Sequence, residues 1–172
     1  MEKKTKLLEY KETIKTPLRQ ATLCFLVKED EILLAMKKRG FAKGKWNGTG
    51  GKSERGDKTI RDTAIRETFE EIHITPKTLQ EVATLNFYFP DNPDWSQQVI
   101  VYLATEWEGK LQETDEMAPK WFKFDKIPYN QMWEDDILWL PEVLKGNLIE
   151  ADFLFDENQK MIEKDVRKIT SR

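Results

Sequence analysis

What this 172-residue chain has little of narrows the field first. Cysteine occurs once, at Cys24 in the apolar run "TLCFLV". A lone cysteine closes no internal disulfide, and this setting reads as a buried core thiol rather than a reactive one. With no signal-like start, a reducing cytoplasm is the expected compartment. Histidine also occurs once, at His73, which excludes His-rich zinc sites and argues against a Ser/His/Asp triad. No apolar run approaches the ~20 residues of a spanning helix, so no membrane partner is expected. Neither charge sign dominates: 28 Lys and Arg face 31 Asp and Glu, a net −3. A nucleic-acid polymer would need a basic face that this balance does not supply. Any polyanionic ligand must then be met by a few local cations or by a metal.

The rest suits one domain. Apolar residues make up 39% and charged residues 34%, enough for a single core at this length. No repeat, low-complexity tract or linker interrupts the chain. Residues 1–17 form an N-terminal extension that could be a leading strand, an amphipathic turn or a frayed arm, and carries no visible chemistry. Residues 18–172 are expected to be the domain proper. "ATLCFLV" (21–27) predicts a strand buried on both faces, and "ILLAM" (32–36) its hairpin partner. Further strands are expected at 79–89, 97–106 and 120–124, a helix at 58–72, a second near 133–145, and a closing hairpin around "DENQ". This is an α/β pattern with a mixed, mostly antiparallel sheet, and a monomer is expected.

Two neighbouring segments carry chemistry. "KKRGFAKGKWNGTGGK" (37–52) holds five glycines and six cations, a loop whose backbone must approach something closely. The helix that follows places Glu67, Glu70 and Glu71 at i, i+3 and i+4, on one face. Arg66, four before Glu70, offsets one charge and leaves a local −2. Like-charge pairs on an exposed helix cost only about 0.2–0.5 kcal/mol each, so a merely solvated acidic face is one reading. The other is a cation site. Oxygen ligands without His or Cys favour a hard ion, Mg²⁺ or Mn²⁺, and a glycine-lined phosphate loop beside it describes hydrolysis at phosphorus.

"GGKSERGDKTIRDTAIRETFEEIHI" resembles the box of the Nudix hydrolase family, G-x5-E-x7-R-E-U-x-E-E-x-G-U with U apolar. Gly51 matches the first glycine, and Arg66, Glu67, Glu70 and Glu71 match the R-E…E-E core at the correct spacing. The box also departs from the pattern. Asp57 replaces the upstream Glu with one extra residue before Arg66, so strict spacing falls on Lys58. Thr68 stands where an apolar residue is usual, and His73 where a glycine ends the helix. "MKKRGFAKGKWNGTGGK", "TDEMAPKWF" and "MWEDDILWLP" extend the resemblance over residues 20–168, toward the members that act on oxidized purine nucleotides.

The resemblance implies an α/β/α sandwich around a mixed sheet and hydrolysis of oxidized purine nucleoside triphosphates (8-oxo-dGTP, 2-oxo-dATP) to monophosphate and pyrophosphate. It implies Mg²⁺ held by Glu67, Glu70, Glu71 and Glu116 with a carbonyl from Gly50 or Gly51, Glu71 as base, and Arg66 orienting Glu70 or Glu71. Lys37, Lys52, Thr49, Gly50 and Gly51 would meet the nucleotide. Thr22, Phe41, Asn47, Phe87, Trp133, Asp135 and Asp136 would line the base pocket, with Trp46, Trp95, Trp107 and Trp121 left to core or surface. Asp135 and Asp136 are open to two readings: ordinary helix N-capping, or two close carboxyls that share protons at a purine edge. A Nudix hydrolase for another nucleoside diphosphate derivative and a catalytically inactive binding module remain the alternatives.

Overall fold

The computed structural model describes residues 2–171. In chain order the elements are α1 (Lys6–Thr13), β1 (Arg19–Lys28), β2 (Glu31–Lys37), β3 (Trp46–Asn47), α2 (Ile60–Ile72), β4 (Thr75–Tyr88), β5 (Gln97–Glu108), β6 (Met117–Lys123), α3 (Asp136–Leu144), β7 (Leu148–Phe155) and β8 (Met161–Ile169). The strands run β3-β2-β1-β5-β4-β7-β8, with β6 also paired to β2. Only β1–β5 and β4–β7 pair in parallel; the other pairings are antiparallel. The mixed, mostly antiparallel α/β sheet is as expected.

The apolar run of β1 follows from its place. Alternate side chains point to opposite faces, and each face has its own core. Ala21 and Phe25 join Trp139, Leu140 and Val143 of α3. Cys24 and Leu26 join Ala64 and Ile72 of α2. The sheet is thus sandwiched between α2 and α3, and a strand covered on both sides has no solvent face to make polar. Burial pushes the Cys24 thiol up to about 12, so it is the inert core residue its setting indicated. No helix among the described residues is long and apolar enough to cross a membrane.

The extension, open as a sequence to a strand, an amphipathic turn or a frayed arm, is helical over Lys6–Thr13. That helix is docked. Thr5 caps α1, and the Glu163 carboxylate of β8 accepts the N–H of Lys6 (3.1 Å) and Leu7 (2.7 Å). Those are orphan donors at the positive end of a helix dipole, so an acid is favourable there. Leu7 packs with Tyr88 and Leu154, flanked by Tyr10, Ile14 and Leu18. Beneath the helix, Lys11 pairs with Asp152 at 2.7 Å.

Candidate active site at the glycine loop and α2

The sequence departures in the box resolve into local geometry. The extra residue sits in the turn before α2, so the helix starts two residues later than expected, with Thr59 as N-cap. Thr59 and Asp62 form a reciprocal capping box, satisfying two otherwise orphan donors. Asp57 then reaches Arg66 as a two-pronged pair, Nε to Oδ1 and Nη2 to Oδ2, each 2.9 Å. The same carboxylate accepts from Glu54 N–H and Thr63 Oγ1. Arg66 and these donors hold the Asp57 carboxyl well below the usual range. Nη1 of Arg66 turns the other way, to Glu67 at 2.9 Å and Glu70 at 3.2 Å. Arg66 therefore bonds to Glu67 and Glu70, and no bond links it to Glu71. At the far end His73 adopts φ 62°, the left-handed turn that usually takes glycine, and its ring stacks on Phe69.

Thr68 is fully buried. Its hydroxyl bonds to the Ala64 carbonyl (2.8 Å) and to the Thr49 hydroxyl (2.7 Å). Thr49 also bonds to the Cys24 carbonyl. The unusual threonine in the box is thus satisfied by a second one in the loop, which ties loop, helix and β1 together. That places the Thr49 side chain behind the loop, with its hydroxyl already used.

The loop lies against β1 and α2 at close range. Thr22 N–H donates to the Gly51 carbonyl at 2.9 Å and Cys24 N–H to that of Thr49. A Cβ on Gly50 would overlap the Thr22 carbonyl, and one on Gly51 would stand 2.5 Å from Glu67 Oε1. At Gly50, against backbone, only glycine allows this approach; at Gly51 a Cβ would displace the Glu67 carboxylate from its place.

Glu71 is the exceptional acid. It is 4% exposed, and its Oε2 has no hydrogen-bond partner. Burial first, then the Glu67 charge, push its carboxyl up to about 8, with the Gly50 backbone pulling the other way. Burial also raises Glu67. Glu70 is solvent-facing. Glu116, on the loop before β6, is exposed and pairs with Arg39 at 3.2 Å, yet its charge still bears on Glu71. In this arrangement no three acid, His or Cys side chains among the described residues converge as a finished cage; three of the four expected acids are held by guanidinium groups. A buried carboxylate oxygen with nothing to bond is costly, and a hard cation fits the oxygen-only donor set.

Of the expected base-site residues, Phe41, Phe87, Trp133, Asp135 and Asp136 lie on the α3 side; Thr22 alternates with Ala21 onto the α2 face, its hydroxyl 3.5 Å from the Gly51 carbonyl, and Asn47 pairs with Ala35 of the α2-side core. Trp133 is half-buried, with the Phe41 ring 5.4 Å away and Lys45 Nζ 5.1 Å from its centroid. Phe87 stacks on Phe153 and Phe155, and the Asn47 side-chain Oδ1 accepts from Gly48 N–H. Asp135 and Asp136 are both buried, at 4% and 2% exposed. Neither caps α3 in the ordinary way: Asp135 accepts from the Trp139 indole N–H (2.9 Å) and Asp136 from Trp133 N–H (3.0 Å). Burial raises both carboxyls, Asp135 to about 6, and the Asp135 charge pushes Asp136 higher still. Lys37 is half-buried and Lys52 exposed, with Lys52 bridging to Ala21. Trp95, left to core or surface, is 42% exposed and stands 6.3 Å from Phe41. It belongs to a turn in "DNPDW", and a turn gives no periodicity from which its neighbours could be read. A separate cleft of about 450 Å³ lies under the tail of α1, and none of its lining residues is an expected site residue.

The NUDIX domain profile matches residues 17–143. The oxidized purine nucleoside triphosphate hydrolase of Danio rerio is 42% identical over 142 residues, 83% of this chain and 90% of that protein. Its Mus musculus counterpart is 36% identical over 150 residues, 87% and 95% of the two chains. Among solved structures, a mutator MutT protein of Bacillus halodurans superposes with TM-score 0.73, covering 87% of this chain and 97% of that one at 24% identity. The chain belongs to the NUDIX family: it is a Nudix hydrolase. Divalent metal ions are general to that family.

Proposed function

We propose that the chain hydrolyses oxidized purine nucleoside triphosphates, 8-oxo-dGTP and 2-oxo-dATP among them, to the monophosphate and pyrophosphate, as a monomer acting on free nucleotides. The observation that carries the reading is Glu71: a buried carboxylate oxygen with no partner, in a wall made by Glu67 and the Gly50–Gly51 turn. Glu67, Glu70, Glu71 and Glu116, with the Gly50 carbonyl, would hold Mg²⁺ or Mn²⁺. Such a cation supplies neutralisation of phosphate charge and acidification of water. Lys37 and Lys52 flank the glycines and meet the phosphates. Arg66, fixed by Asp57, keeps Glu67 and Glu70 in place and touches no substrate. Glu71 Oε2 accepts the proton of the attacking water.

At the base, Trp133 offers the stacking face, worth about 1–3 kcal/mol. Asn47 reads one edge of the purine. Asp135 and Asp136 read the other, one carboxyl protonated and donating, the other accepting. Their raised pKa values and shared burial support this division. The names of the zebrafish and mouse relatives support the oxidized-purine substrate class.

The test is pyrophosphate release with Mg²⁺ across normal and oxidized dNTPs, beside Glu71→Gln. The expected result is a preference for oxidized purines above about tenfold, or 1.4 kcal/mol, and a loss of 10²-fold or more in the variant. Activity unchanged in Glu71→Gln overturns the mechanism; no activity in wild type makes the chain a binding module; activity without base preference points to another nucleoside diphosphate derivative.

A further inference from the structure

Two large aromatic side chains stand in solvent beside the base pocket, Phe41 at 62% and Trp95 at 42% exposed. Neither belongs to a core cluster, and exposed aromatic rings that adjoin one another can form a ligand-binding surface. They are also linked. The Phe41 ring lies 5.4 Å from that of Trp133 and 6.3 Å from that of Trp95, tilted against both. A further aromatic ring inserted between two stacked rings needs about 7 Å between them, twice a van der Waals separation. A base therefore cannot enter between Phe41 and Trp133 until Phe41 gives way.

The two exposed rings are mounted differently. Phe41 rides on a loop of left-handed turns, Gly40 at φ 76°, Ala42 at 67° and Gly44 at 85°. Ala42 carries a Cβ in that region, a conformation that costs energy and tends to occur where a segment switches. The loop is closed at its root by Gly44 N–H to the Lys37 carbonyl (2.8 Å), so its tip can swing as a unit. Trp95 is pinned. Its backbone N–H donates to the Asn92 carbonyl at 3.0 Å. The buried Ser96 hydroxyl accepts from Phe89 N–H at 2.9 Å, and Arg19 donates to the Asp94 carbonyl at 2.9 Å. The indole meets Phe89 edge-on at 5.8 Å.

We propose that Trp95 is a specificity-determining residue of the base pocket: it receives the Phe41 ring when a purine displaces that ring from Trp133. The base then lies between Trp133 and a Phe41 backed by Trp95. A two-ring base covers this aromatic span; a one-ring base leaves part of it wet. Trp95 thus sets the preference for oxidized purines over oxidized pyrimidines. This rests on the base-pocket assignment made above.

Calorimetric binding of 8-oxo-dGMP and of an oxidized pyrimidine monophosphate, without metal, tests it in wild type, Trp95→Ala and Trp95→Phe. Trp95→Ala should weaken the purine nucleotide about tenfold, leave the pyrimidine nucleotide nearly unchanged, and leave the thermal midpoint where it was. Trp95→Phe should recover most of the loss. With Mg²⁺ and triphosphates, KM should rise in Trp95→Ala while kcat holds. Purine binding equal to wild type, or equal losses for both bases, overturns the role of Trp95 alone. Failure of wild-type protein to bind 8-oxo-dGMP overturns the base-pocket assignment itself.

Discussion

Two adjacent carboxyls, Asp135 and Asp136, sit almost out of water at the start of α3. The sequence leaves them open to helix capping or base contact, and the packing shows that Asp135 makes no side-chain cap bond. Trp139, one turn on, turns its indole N–H onto Asp135, so the carboxyl faces inward rather than along the helix. This has a pH consequence. The folded Asp135 carboxyl is raised to about 6, above its ordinary value near 4. The folded state therefore holds the proton more tightly than the unfolded chain. Its contribution to stability is full below about pH 4, falls as pH rises to about 6, and is level beyond. Asp135→Asn keeps the acceptor for Trp139 and removes the titration. The wild-type minus Asp135→Asn difference in denaturation free energy should decline across that window by on the order of 2–3 kcal/mol; a flat difference would contradict the burial argument. Glu71 shows what spacing cannot say. Its helix face was plain from i, i+3, i+4, but its burial, in contrast to exposed Glu70 one residue earlier, comes from where α2 lies on the sheet.

At the scale of the element, α2 shows how a helix tolerates an insertion before it. Residues 66–71 are fixed by the helix itself, so an extra residue upstream is taken up by the turn. What must survive is the pairing of Arg66 with an upstream acid, and Asp57 provides it with a side chain 6% exposed. Asp57→Asn should cost about 1–3 kcal/mol, the value of hydrogen bonds to charged groups, and should slow pyrophosphate release by loosening Glu67 and Glu70. Lys58→Ala should stay within about 0.5 kcal/mol of wild type. Chemical denaturation beside a rate assay reads both; equal effects would mean that the inserted residue, not the ion pair, carries the structure. Periodicity places the helix start two residues early, because a capping box depends on one threonine and one aspartate, whereas hydrophobic periodicity runs on smoothly past it.

For the whole molecule, the extension matters most. α1 lies outside the span matched by the family, yet it covers the end of the sheet that α2 leaves open. Asp152, 1% exposed, is the hub there: Lys11 and Arg167 pair with it at 2.7 and 3.2 Å. A row of amides then crosses the sheet from Asp152 through Asn86 (2.9 Å) and Gln98 (3.1 Å) to Gln20 (3.0 Å). Removing residues 2–14 would uncover Leu7's partners and take one cation from a buried carboxylate. The expected loss is about 3 kcal/mol, from one buried leucine and one charged hydrogen bond. Amide exchange should quicken in β7 and β8, while the KM for a triphosphate shifts less than about twofold. Unchanged exchange in those strands would show that α1 is not a clasp.

The sequence by itself determined most of the strand and helix pattern, though not β3, together with the acidic face of α2 and a glycine-rich loop made for close approach. These depend on local period and steric size, which neighbouring residues carry. Tertiary structure alone decided which acid is buried, how Thr49 and Thr68 satisfy each other, where α1 docks and that Trp95 stands by Phe41. Each of those joins residues far apart in the chain, and such meetings are fixed by how the sheet stacks its layers, a quantity no local window contains.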